Sequence, residues 1–134
     1  MVEVHVTTGL KFAELLLLLS ILVSSCASHH NLKNEGANYL GGGFRDKKIA
    51  PRFYKLTVKT NFSPWTNFSG AQRAWGKRAR QLCENKDFES LRVQQDSYNT
   101  PAGHLYIISQ IKGYILCSGS GLEKKEIERL IAES

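Results

Sequence analysis

Phe53-Tyr54-Lys55-Leu56-Thr57-Val58-Lys59-Thr60 sends Tyr54, Leu56 and Val58 to one side of an extended chain and Lys55, Thr57 and Lys59 to the other. A hydropathy period of two marks a half-buried strand, because successive side chains leave opposite faces of a sheet. The next residues, Asn61 to Phe68, hold Asn-Phe-Ser twice around Pro64-Trp65-Thr66, a polar, proline-bearing segment that reads as a loop. At Ser69 the period changes. Ala71, Ala74, Trp75, Ala79, Leu82 and Cys83 share one stripe of a helix opened by a Ser69–Gln72 capping box, and Arg73, Lys77, Arg80 and Glu84 lie on its other side.

Toward the C-terminus, Leu91 and Val93 alternate with Arg92 and Gln94, which predicts a second strand. The cluster Asn99-Thr100-Pro101-Ala102-Gly103 reads as a turn, and Leu105 to Cys117 as a long, mostly apolar strand that breaks or bulges near Gly113 and pairs with its predecessor as a hairpin. A second capping box, Ser120 with Glu123, precedes Leu122, Ile127, Leu130 and Ile131 at helical spacing. The expected order is therefore β-α-β-β-α. It implies an α+β sandwich over residues 44–134, with the helices on one sheet face.

Before this domain, Leu15 to Val23 is apolar except for Ser20 and ends in Val23-Ser24-Ser25-Cys26. The run is too short for a hydrocarbon core of about 30 Å, so it reads as the core of an export signal over residues 1–25. An aliphatic residue three positions before a cysteine, with two small residues between, resembles the lipobox of bacterial lipoproteins. That resemblance implies diacylglycerol on the Cys26 sulfur, cleavage just before it, and an N-acyl chain on the new terminus. The alternative is ordinary secretory cleavage that leaves Cys26 as a thiol. With Ala27 rather than Asp following Cys26, the sorting rule of Gram-negative lipoproteins implies the periplasmic face of the outer membrane. Met1 to Gly9 contain Glu3 and no Lys or Arg, although a signal normally opens with positive charge. Translation is therefore expected to start at Leu10, directly before Lys11.

From Ala27 to Gly43 the chain is polar and glycine-rich, which predicts a flexible tether over residues 26–43. His29 and His30 read there as solvated residues. Beyond Cys26, the remaining cysteines are Cys83 and Cys117, an even number suited to an oxidising compartment. A disulfide is the expectation, and a free buried pair or a metal site are the alternatives. From Cys26 onward 17 basic residues face 10 acidic ones, which favours anionic envelope neighbours over nucleic acid in an exported chain.

Gly42-Gly43-Phe44, Ile49-Ala50-Pro51, Tyr54-Lys55-Leu56-Thr57-Val58 and Arg78-Ala79 with Leu82 resemble a group of small uncharacterised proteobacterial lipoproteins. Those carry a Gly-Gly-aromatic start, a Leu/Ile-x-Pro, a Tyr-x-Val strand and an Arg-Ala-Ala-Glu-Leu helix. The likeness covers about a third of the chain, and Arg80-Gln81 stands where that helix has Ala-Glu. Gly113-Tyr114-Ile115-Leu116-Cys117-Ser118-Gly119-Ser120-Gly121-Leu122 also resembles the last strand of the stress-sensor lipoproteins of the Rcs phosphorelay. This second likeness implies a helix followed by paired strands and disulfides. Neither group brings a catalytic residue.

Nucleophilic catalysis needs a Ser or Cys beside a His, and His104 is the one histidine in the domain, set at a turn. No G-x-S-x-G, HExxH or phosphate-cradling glycine loop is present. The sequence therefore points to a non-catalytic role as an assembly or stress-sensing partner anchored to the membrane. The alternatives are a binder of lipopolysaccharide or peptidoglycan and, last, a small periplasmic enzyme. Two binding surfaces are expected: Arg73, Lys77 and Arg80, flanked by Arg78 and joined by Lys47, Lys48 and Arg52 just before the first strand, for anionic groups, and Phe62, Trp65 and Phe68 for stacking on a sugar ring. No cofactor or metal is expected beyond the covalent lipid.

Overall fold

A computed structural model of the chain describes residues 31–34, 41–100 and 103–134, the side chains of residues 103–105 excepted. The signal segment, Leu10, Cys26, His29, His30 and the side chain of His104 lie outside the described residues. The elements are β1 (Gly43–Ala50), β2 (Phe53–Lys59), α1 (Phe68–Leu82), β3 (Phe88–Thr100), β4 (Gly103–Cys117) and α2 (Lys124–Glu133). The four strands form one antiparallel sheet in the order β1-β2-β4-β3. The fold is α+β.

Two features depart from the expected order. The first is β1, whose first residue the sequence reading gave to the tether and whose remainder it assigned to no element. Its pairing runs from Gly43↔Lys59 to Ala50↔Phe53, so it is an edge strand. Only Phe44 on its covered side is apolar and buried, while Asp46 on that side is polar, so no hydropathy alternation betrays the strand. Order begins even earlier in the stretch read as tether, since Asn31 bridges Phe44 and the Leu32 N–H donates to the Phe44 carbonyl at 2.7 Å.

The second is the placement of the helices, which cover opposite faces and not one. Leu56, Val58, Ile111, Ile115 and Cys117 meet Ala71, Ala74, Trp75 and Ala79 of α1. Their chain neighbours Phe53, Tyr114 and Leu116 meet Ile127, Leu130 and Ile131 of α2. Strand parity forces this division. Phe53 is fully buried, and Tyr114 packs 5.7 Å from it, ring centre to ring centre.

The caps also move. Asn67, not Ser69, caps α1, its side-chain oxygen accepting the Gly70 N–H at 3.0 Å. The N-cap of α2 is Glu123, which makes no side-chain capping bond. An Asn at this position satisfies an orphan N–H that no carbonyl in the first turn can reach. The Asn67 N–H in turn donates to the Ser109 hydroxyl at 2.7 Å. Ser109 is fully buried on β4 and its N–H donates to the Thr60 hydroxyl at 3.0 Å. This polar knot ties the end of β2 and the start of α1 to the central strand.

Gly113 does not break β4. A methyl group there would lie 3.0 Å from the Leu91 carbonyl and 3.2 Å from the Trp75 ring. The bulge sits instead on the partner strand, between Leu91 and Gln94, where Arg92 has φ 51°. The bulge interrupts the Leu91/Val93 alternation, leaving Leu91 packed toward α2 and Val93 exposed. Trp75 fills the space above Gly113, and its indole N–H donates to the Ser90 hydroxyl at 3.0 Å. Gly113→Ala should therefore destabilise the fold by about 1–3 kcal/mol, as overpacking does, measured by urea unfolding. An unchanged midpoint would mean that the ring has room to move.

Cys83 at the end of α1 and Cys117 at the end of β4 form a disulfide, with Cα atoms 5.3 Å apart and both residues buried. The bond closes a loop of sequence separation 34. In the chain-entropy model this contributes about 3.5–4 kcal/mol. Replacing both cysteines by Ala should lower unfolding stability by about that amount, and unchanged stability would place the fold's support in packing alone.

Candidate functional site

The two surfaces expected from sequence are brought together only in part. Arg73, Lys77 and Arg80 lie exposed on the outer side of α1. Arg78 turns the other way. Its Nε and terminal nitrogen donate to Asp46 Oδ1 at 2.9 and 2.7 Å, and its guanidinium lies 4.3 Å over the Phe44 ring. Arg78 is thus a strut between α1 and β1 and is removed from the binding surface.

The aromatic loop is not one stacking platform. Phe62 packs edge-on against Tyr106 at 4.8 Å between ring centres, and Phe68 has become the half-buried first residue of α1. Trp65 alone stands out, 66% exposed. Two backbone hydrogen bonds between Ser63 and Ile107 fasten this loop to β4.

A larger basic surface, of which the expectations held only Lys47, lies on the sheet face that α2 covers only at one end. Strand parity puts Arg45 and Lys47 of β1, Lys55 and Lys59 of β2, and Lys112 of β4 on that face. Register makes them neighbours: Lys47 stands opposite Lys55, and Thr57 lies between Arg45 and Lys112. Neither Arg45 nor Lys47 forms a salt bridge among the described residues. Lys59 sits over the Tyr98 ring at 5.5 Å, and Lys55 donates to the Ser134 carbonyl at 3.0 Å. A shallow cleft beside α2 is lined by Lys55, Arg92, Gln94, Lys112, Tyr114 and Ile131.

An acid on this face is Asp96 of β3. The Gln110 amide donates to it at 2.8 Å and Lys112 at 3.1 Å. The Gln110 hydrogen bond is the largest cause of a carboxyl held below its ordinary pKa; burial opposes it as the next largest effect, and Lys112 and then Lys59 add to the lowering. Sequence could not have found the group. Its members are spread over four strands, and only register unites them.

Comparison with protein-family models, with curated proteins and with solved structures finds no match. The residues that carry the resemblance to small lipoproteins nonetheless have a common structural task. Phe44, Leu56, Val58 and Ala79 are core neighbours, and Arg78 lies on the Phe44 ring. Gly42 is pressed so closely on the Asn61 backbone nitrogen that a Cβ would lie 2.7 Å from it. That motif describes packing between β1, β2 and α1 rather than chemistry. No group of three metal-ligating side chains occurs among the described residues.

The Asp96 assignment predicts that the carboxyl titrates below an ordinary aspartate, by carbon-detected NMR, and that Gln110→Ala moves its midpoint upward. A midpoint unmoved by Gln110→Ala would refute the assigned cause.

Proposed function

We propose that this chain is an exported lipoprotein, held by acyl chains on Cys26 at the periplasmic face of the outer membrane, in the manner of the small proteobacterial lipoproteins it resembles. Its folded domain serves as a non-catalytic partner in envelope assembly or stress sensing. The observation that carries the reading is Val23-Ser24-Ser25-Cys26 at the end of an apolar run that begins at Leu15. The buried Cys83–Cys117 disulfide supports export, because such bonds persist mainly outside the reducing cytosol. Among the described residues no helix is long and apolar enough to cross a membrane. Two or three acyl chains suffice for stable anchoring, whereas one binds only marginally. The exposed Arg73, Lys77 and Arg80 keep a second reading, a binder of anionic envelope polymers, in view.

Fatty-acid labelling in growing cells tests the anchor. The wild-type protein should take up label and stay with membranes through a wash at roughly 0.5 M salt, which suppresses surface electrostatics. Cys26→Ser should take up none. Label on the Cys26→Ser chain would refute the assignment.

A further inference from the structure

Aromatic and basic side chains gather at one end of the molecule. Among the described residues, Trp65, Tyr98 and Tyr106 are three of the four large hydrophobic side chains that stand exposed, at 66%, 39% and 40%. All three belong to the end where the β3–β4 hairpin runs past the last pairing of β2, Lys59↔Gln110. Ser63 pairs with Ile107 there, which brings the Trp65 loop beside the hairpin, and Phe62 packs on Tyr106. Lys59 reaches over Tyr98 at the same end, and Arg45 and Lys47 continue the basic surface along β1. This arrangement is costly to a fold selected for stability alone. Lys47 directly opposes Lys55, and like charges facing each other across a sheet repel.

Amphipathic rings beside unpaired cations match the chemistry of a membrane–water interface, where Trp and Tyr sit at head-group depth and Lys and Arg meet anionic lipid. The length of chain toward the anchor fits as well. Four residues lie between Cys26 and Asn31, five Cα-to-Cα steps, and Asn31 pairs with Phe44 beside the start of β1. Such a span reaches at most about 18 Å, only about twice the screening length at physiological salt. The Gly43 end of β1 is also the end that carries Lys59.

We infer that the open sheet face bearing Arg45, Lys47 and Lys59, with Trp65, Tyr98 and Tyr106 at its end, rests on an anionic phospholipid surface. It would orient the domain on the leaflet that holds its lipid, with α1 and its Arg73, Lys77 and Arg80 turned away. The argument from chain length rests on the Cys26 anchor, whereas the argument from the surface does not.

The mature chain, residues 26–134 with Cys26→Ser, which carries neither the apolar signal segment nor an acyl group, is titrated with vesicles of phosphatidylcholine containing about 30% phosphatidylglycerol, and with phosphatidylcholine alone. Of the chain's two tryptophans, Trp75 is sealed in the core, so a shift of emission to shorter wavelength reports Trp65. Binding is expected to the anionic vesicles only, to weaken as salt rises, and to carry the emission shift. Arg45→Glu, Lys47→Glu and Lys59→Glu together should weaken it about a hundredfold, given a factor of about five for each lost cation. Arg73→Glu, Lys77→Glu and Arg80→Glu together remove the same number of cations from the opposite face and should weaken it less than about fivefold. Far-ultraviolet circular dichroism confirms that each variant is folded.

Three outcomes would overturn the inference: no binding by the folded chain at low salt, equal loss in the two triple variants, or binding without the Trp65 shift. Preference for soluble polyphosphate with vesicles ignored would do the same, by assigning the face to a free polyanion. Fatty-acid labelling reads Cys26 alone, so failure of the anchor and failure of the surface are distinguishable.

Discussion

Strands β2 and β4 lie side by side in the middle of the sheet, and each carries apolar side chains on both faces. Leu56, Val58, Ile111 and Ile115 point one way, and Phe53, Tyr114 and Leu116 the other. Neither set can be left in water without forfeiting roughly 1.5–3 kcal/mol for each large side chain. Both faces must therefore be covered, and each helix takes one. The longer helix, α1, spans 15 residues and is stitched to β4 by the disulfide. The shorter, α2, spans 10 and reaches only part of its face.

The unequal cover sets the character of the surface. Where α2 ends, the sheet face continues as Arg45, Lys47, Lys59 and Lys112, with Thr57 among them. Interior packing on one side of each strand and cationic solvent contact on the other are consequences of a single backbone pleat. A substitution that shifted the register of β1 by one residue would send Phe44 and Asp46 outward and Arg45 inward. The Arg78–Asp46 contact guards against this slip, because Arg78 on α1 finds its carboxylate only in the observed register.

Several elements were legible because their information is local. The alternation in Tyr54 to Val58, the helical stripe from Ala71 to Cys83 and the hairpin of β3 with β4 all appear in the structure as read. The pairing of Cys83 with Cys117 followed from their number and from the side of α1 that Cys83 occupies. The edge strand β1 escaped notice because an edge strand with one buried aromatic side chain has almost no hydropathy signature. The cap at Asn67 was missed in favour of a Ser-x-x-Gln pattern. That pattern describes side-chain chemistry, whereas the choice of cap depends on where the Ser109 hydroxyl receives the chain.

The sequence by itself determined the mixed class, the principal helix, the hairpin, the staple and an exposed basic helix side, since each rests on periodicity or composition within a short window. Tertiary structure alone decided that the helices flank the sheet on opposite faces, that Arg78 is a strut, and that Arg45, Lys47, Lys55, Lys59 and Lys112 form one surface. Residues as distant as Arg45 and Lys112 become neighbours through the register of three strands. Register is fixed by packing on the far side of the sheet, and no local pattern carries that information.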